Sequence, residues 1–158
     1  MNVPFLDLKP QYAEIREEVM SAVQSVFEDQ AFILGANVST LEESLAQYLG
    51  CTHAIGVASG SDALLLSLMA MDVQSGDEVI TVPFTFFSTA GVISRLHAKP
   101  VFVDIRPDTF NIDPSKIEEQ ITPRTKAIIP VHLFGQCAEV EHLVAQTVGK
   151  GIGIIEDG

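Results

Sequence analysis

Near the amino terminus, Tyr12, Ile15, Val19, Ala22, Val23 and Val26 recur at three- and four-residue intervals, which lays one apolar stripe along a helix over about residues 10–28. Such a stripe requires a surface to cover. Ser39-Thr40-Leu41-Glu42 has capping-box spacing and predicts a second helix that ends near Leu49, with Gly50 as the left-handed terminating residue. The pattern then changes to short apolar runs at 54–58, 79–82, 100–103, 127–131 and 152–155. Runs that do not alternate with polar residues suit a parallel sheet buried on both faces. Between them, segments 61–71, 88–96, 114–121 and 140–148 are long enough for helical crossovers. Asp113-Pro114 opens the third of these with a capping carboxylate and a first-turn proline. The pattern therefore predicts an amino-terminal helical segment over 1–50 and a three-layer α/β domain with a mostly parallel sheet over 51–158.

A chain of 158 residues with 47% hydrophobic content can bury a substantial core, which argues against disorder. The net charge of −12, with only nine Lys and Arg scattered along the chain, argues against a nucleic-acid backbone as partner. No stretch reaches the roughly 20 apolar residues of a spanning helix, and the amino terminus lacks the pattern of a signal peptide. A membrane is therefore not expected, and a cytoplasmic location is. Cys51 and Cys137 have neither close spacing nor a Cys/His cluster, so no metal site or disulfide framework is expected and both read as small buried apolar residues.

The chemistry gathers where the predicted strands end. In Ala58-Ser59-Gly60-Ser61-Asp62-Ala63, Gly60 permits a tight turn, and Ser61 with Asp62 opens an almost wholly apolar helix. Free amides and a hydroxyl at a helix amino terminus suit a phosphate, although the same residues also read as an ordinary turn with a cap. The segment is neither a P-loop nor a dinucleotide fingerprint. Pro83-Phe84-Thr85-Phe86-Phe87 brings three aromatics to the same rim. One of them can lie flat against a planar ligand, while Phe84 and Phe87 read more naturally as core. His132 reaches this rim too, as a structural hydrogen-bonding group or as a substrate or cofactor contact. Asp157, delivered by the apolar run before it, can hold a positive charge at the strand end where open α/β sheets bind ligands.

Together these residues carry a resemblance that covers practically the whole chain. Pro4-Phe5-Leu6-Asp7-Leu8, Phe32-Ile33-Leu34-Gly35, Ser59-Gly60-Ser61-Asp62-Ala63-Leu64, Gly76-Asp77-Glu78-Val79-Ile80, Pro83-Phe84-Thr85-Phe86, Lys99-Pro100-Val101-Phe102-Val103-Asp104, Ile121-Thr122-Pro123-Arg124-Thr125-Lys126-Ala127-Ile128, Pro130-Val131-His132 and Ile155-Glu156-Asp157 occur in order and spacing that resemble the DegT/DnrJ/EryC1/StrS family. These are pyridoxal-phosphate sugar aminotransferases of fold-type I, and the chain is similar to the amino-terminal part of their large domain.

The resemblance implies that the loop of Gly60, Ser61 and Asp62 holds the phosphate of pyridoxal 5'-phosphate through the hydroxyl and the amides of Ser61 and Asp62, with Ser61 where the family has Thr. It implies that Phe86 stacks on the cofactor ring and that Asp157 pairs with the pyridine nitrogen. The family's Schiff-base lysine lies a few tens of residues beyond that aspartate, and Lys9, Lys99, Lys116, Lys126 and Lys150 are in no such context. The expectation is therefore an incomplete large domain, lacking its last strands, its small domain and the lysine, and inactive alone. The longer enzyme is expected to be a homodimer that transfers an amino group, with glutamate as donor, to a nucleotide-linked keto-sugar. Two alternatives remain open: a sugar dehydratase on the same scaffold, where the family replaces the lysine by histidine, and a truncated non-catalytic product with a binding or regulatory role.

Overall fold

A computed structural model of the chain describes residues 3–158. The chain forms two compact units, Met1–Gly56 and Val57–Gly158.

The first unit contains α1 (Lys9–Asp29) and α2 (Ala36–Leu49). The periodicity of Tyr12 to Val26 does form a helix, but α1 has no buried residue, so the stripe expected to be covered stays open. Helix α2 starts three residues before the capping box. Gly35, in an extended conformation, supplies the cap, and its carbonyl accepts from Val38 and Ser39. Glu42 does not reach back to the helix start; its Oε1 accepts from the Gly56 N–H at 2.7 Å. Gly50 ends the helix at φ 67°, in the left-handed region, as its lack of a Cβ allows.

In the second unit, β1 (Glu78–Thr81), β2 (Lys99–Phe102), β3 (Thr125–Ile128) and β4 (Gly153–Ile154) form one parallel sheet in the order β2-β1-β3-β4. Helices α3 (Gly60–Ala70), α4 (Phe87–Arg95) and α5 (Val140–Thr147) supply the covering layers. Strand alternation divides the core between two faces. Val79 and Ala127 pack with Leu64, Leu68, Val92 and Ile93 of α3 and α4, whereas Ile80 and Ile128 pack with Ile117 and Leu143 on the other side. This double burial explains why the strands read as unbroken apolar runs.

Four strands form where five are expected. Segment 54–58 has no ladder partner among the described residues, and Ile55 is 78% exposed. An apolar run becomes a strand only when another strand satisfies its backbone groups. Segment 114–121 likewise forms two short 3-10 turns instead of one helix, although Asp113 caps the first through the Ser115 N–H at 3.0 Å. Both cysteines are exposed, contrary to the buried role expected of them. Cys51 directly follows the Gly50 turn with its Sγ on the His53 carbonyl, and Cys137 lies in a loop.

At the amino ends of the strands, the carboxylate of Glu78 is 2% exposed and accepts from Thr122 Oγ1 at 2.6 Å, Arg124 NH2 at 2.9 Å and Lys99 Nζ at 3.1 Å. The Thr122 hydroxyl, then Arg124 and Lys99, lower its pKa from 4.5 to about 2. A depressed carboxyl pKa contributes stability above its unfolded value, and that contribution is lost as pH falls through the folded one. Glu78→Gln is expected to cost on the order of 2 kcal/mol in urea unfolding at neutral pH. The gap to wild type should close between pH 4.5 and about 2.

Candidate functional site

The order β2-β1-β3-β4 sends the chain to one side of β1 and then to the other, and the crevice above such a reversal is where α/β sheets bind ligands. At that end of the sheet lies a cavity of about 380 Å³ lined by Ser59, Gly60, Ser61, Phe86, His132 and Asp157, among others. Five of the six sequence-assigned site residues thus meet around one hollow.

One wall is the start of α3. Ser59, rather than Ser61, is the capping residue: its backbone is extended and its Oγ accepts from the Asp62 N–H at 3.1 Å. The carboxylate of Asp62 stands in the first turn, and its amide, expected to hold a phosphate, is instead engaged by this cap. The amides of Gly60 and Ser61 precede the first intrahelical donor and have no partner among the described residues. Together with the Ser61 hydroxyl they form an anion-binding end. A side-chain carbon added at Gly60 would meet nothing within 4 Å, so that side of the turn is open.

The opposite wall is the start of α4. Phe86 precedes the helix in an extended conformation, is 76% exposed and lines the cavity. Phe84 and Phe87 are exposed as well, so neither takes the core position expected of it. Phe84 packs on Phe110 with ring centroids 5.9 Å apart, and Phe87 lines an adjoining groove with Phe102.

Asp157 is fixed by its backbone. Its N–H donates to the Pro130 carbonyl at 3.0 Å and its carbonyl accepts from the His132 N–H at 2.8 Å, extending the β3 and β4 pairing by one bridge, Val131 to Asp157. The side chain is half-buried, and Oδ2 accepts from Thr89 Oγ1 at 2.8 Å. Thr89 Oγ1 in turn lies 3.0 Å from Thr85 Oγ1. His132 is held at both ring nitrogens: Nδ1 accepts from the Ala138 N–H at 3.1 Å, which leaves Nε2 to donate to Glu156 at 2.8 Å. That pairing orients the ring at the cavity edge.

Sequence reasoning assigned no role to Ser59 as the cap, to the Thr85–Thr89 pair or to Phe134. Phe134 is exposed on the cavity rim at φ 54°, a left-handed conformation uncommon for a bulky residue. The turn that carries it is clamped by the buried Asn111, whose Nδ2 donates to the Gln136 carbonyl and whose Oδ1 accepts from the Leu133 N–H. Thr85 and Thr89 fall four residues apart next to the aromatic run, which was the one signal available for them.

A parallel sheet with helices on both faces, and with a helix amino terminus, an aromatic ring and an acid at the carboxyl ends of its strands, is the arrangement of a fold-type I transferase large domain. The chain belongs to the DegT/DnrJ/EryC1/StrS aminotransferase family, whose sequence profile matches residues 13–158. It is 52% identical over 157 residues to a pleiotropic regulatory protein of Geobacillus stearothermophilus, covering 99% of this chain and 42% of that one. It is 47% identical over 155 residues to the UDP-2-acetamido-2-deoxy-3-oxo-D-glucuronate aminotransferase of Pseudomonas aeruginosa, covering 98% of this chain and 43% of the other. The solved structure of NtdA from Bacillus subtilis with bound cofactor PMP superposes with a TM-score of 0.94 at 35% identity, covering 99% of this chain and 36% of NtdA. The chain thus spans about two-fifths of the length of the curated relatives it matches. No helix among the described residues is long and apolar enough to cross a membrane.

Proposed function

We propose that the whole protein is a pyridoxal-phosphate aminotransferase that moves an amino group from an amino acid, glutamate by preference, to a keto-sugar linked to a nucleotide. The observation that carries this reading is the convergence of the α3 start, Phe86 and Asp157 on one cavity of about 380 Å³, in a chain of this family.

The residues suit pyridoxal phosphate by their chemistry. The free Gly60 and Ser61 amides and the Ser61 hydroxyl bind the phosphate where the helix dipole favours an anion. Phe86 offers a ring face to a planar heterocycle and keeps water from it. Asp157 holds a proton on the ring nitrogen, and His132, fixed by Ala138 and Glu156, contacts substrate or cofactor at the cavity edge. When bound, the cofactor supplies an electron sink for the carbon that loses its proton. The homodimer and the cytoplasmic location expected from the sequence belong to this reading of the whole protein, as does a lysine supplied from outside these residues.

The phosphate assignment is tested by Ser61→Ala in the whole protein. Loss of one hydroxyl donor to a charged group should weaken pyridoxal-phosphate binding by about 1 to 2 kcal/mol in equilibrium titration. An unchanged dissociation constant would remove Ser61 from the site.

A further inference from the structure

We infer that Thr89, backed by Thr85, positions the Asp157 carboxylate for the ring nitrogen of the cofactor, an assignment that rests on the reading of Asp157 proposed above. Asp157 is tied at its backbone to Pro130 and His132, which fixes where the residue stands but leaves its side-chain torsions to be set by something else. The Thr89 hydroxyl sets them. Thr89 is 0% exposed, and its Oγ1 is 2.8 Å from Asp157 Oδ2. An ionised carboxylate only accepts, so Thr89 donates its single proton there. The 3.0 Å contact with Thr85 must then run the other way, from the Thr85 hydroxyl to Thr89 Oγ1. The direction of the whole chain, Thr85 to Thr89 to Asp157, follows from donor and acceptor capacity alone. Asp157 Oδ1 has no partner among the described residues and is the oxygen left for a ligand in the cavity that Asp157 lines.

A buried threonine in a helix ordinarily satisfies its hydroxyl on a carbonyl of the preceding turn. Thr147 in α5 does so, donating to Leu143 and Val144. Thr89 instead directs its hydroxyl across the structure to a residue 68 positions away. A valine would fill the same volume without a hydroxyl to desolvate, so packing alone does not account for threonine here. The neighbouring ionisable groups, His132 and Glu156, are paired with each other at 2.8 Å, which leaves Thr89 as the side chain that orients Asp157. Donors arranged in series strengthen one another, giving Thr85 a part in the effect.

The test uses the whole protein loaded with pyridoxal phosphate labelled with ¹⁵N in the ring, whose NMR shift reports protonation of that nitrogen at neutral pH. Thr89→Val should move the shift toward the unprotonated value and lower kcat about tenfold, the scale of one hydrogen bond to a charged group. KM for both substrates should stay within about twofold, since ground-state binding is not what Thr89 supports. Thr89→Ser should restore the shift, and Thr85→Val should move it part of the way. If Asp157→Asn moves the shift while Thr89→Val leaves it at the wild-type value, the positioning role is wrong and the cofactor assignment stands. If Asp157→Asn leaves it unmoved, the cofactor assignment itself fails and the inference falls with it. Should Thr89→Val not fold, Thr85→Val decides, because an unchanged shift there contradicts the series.

Discussion

Asp157→Asn in the whole protein is expected to retain pyridoxal phosphate and lose most turnover, with kcat falling by about 10²- to 10³-fold, the scale of removing one preorganised electrostatic partner. Retention follows because the phosphate end of the site, at the α3 start, shares no hydrogen bond with Asp157. Loss of turnover follows because an amide carries no charge to hold a proton on the ring nitrogen, and without that proton the ring draws electrons poorly. The backbone pairing of residue 157 with Pro130 and His132 does not depend on its side chain, so the variant should fold. Thr89 can still donate to the amide oxygen. Equilibrium cofactor binding and steady-state kinetics separate the two effects. A variant with wild-type kcat would remove Asp157 from the chemistry.

The second large effect is expected of the 158-residue polypeptide by itself, which should transfer no amino group. None of its five lysines lines the Asp157 cavity. Lys99 is at the other end of the sheet on Glu78, Lys116 is on Asp104, Lys126 lies within β3, Lys150 is in the turn after α5 and Lys9 opens α1. Borohydride treatment in the presence of pyridoxal phosphate should fix the cofactor at no single residue by peptide mapping. Stoichiometric trapping at one of these lysines, with turnover, would contradict the need for a lysine from elsewhere.

Much of this site was legible in the sequence because strand ends and helix starts are marked by local chemistry. The Ile152 to Ile155 run delivers Asp157, and Ser59 to Asp62 follow a small-residue turn into an apolar helix. Less visible was anything whose outcome depends on partners distant along the chain. Segment 54–58 carries a strand's composition but has no strand beside it among the described residues. Phe84 and Phe87 have core composition yet stay exposed, because composition does not say whether a face finds a cover. The capping box at Ser39 lost to Gly35 because an extended glycine ahead of Ala36 lets the helix begin a turn sooner.

Several of the family-like stretches have no contact with the cavity. Glu78 and Lys99 open β1 and β2, Thr122 and Arg124 lie in the loop before β3, and the four form one hydrogen-bonded and ion-paired cluster at the amino ends of the sheet. The Glu78 carboxylate is buried there and needs each of these donors. The Thr89 contact shows the converse. The spacing of Thr89 from Thr85 is a local signal but does not name the acceptor, and only the fold brings Asp157 within 2.8 Å of its hydroxyl.

The measurement that tests the central claim most directly is the transfer of ¹⁵N from labelled glutamate to a UDP- or dTDP-linked keto-sugar by the whole protein with pyridoxal phosphate, followed by mass spectrometry of the sugar product. The account predicts an amino sugar carrying the label, formed in the wild type and nearly abolished in Asp157→Asn. A keto-sugar recovered unaminated with every amino donor and nucleotide tried, from a protein that binds pyridoxal phosphate, would contradict it.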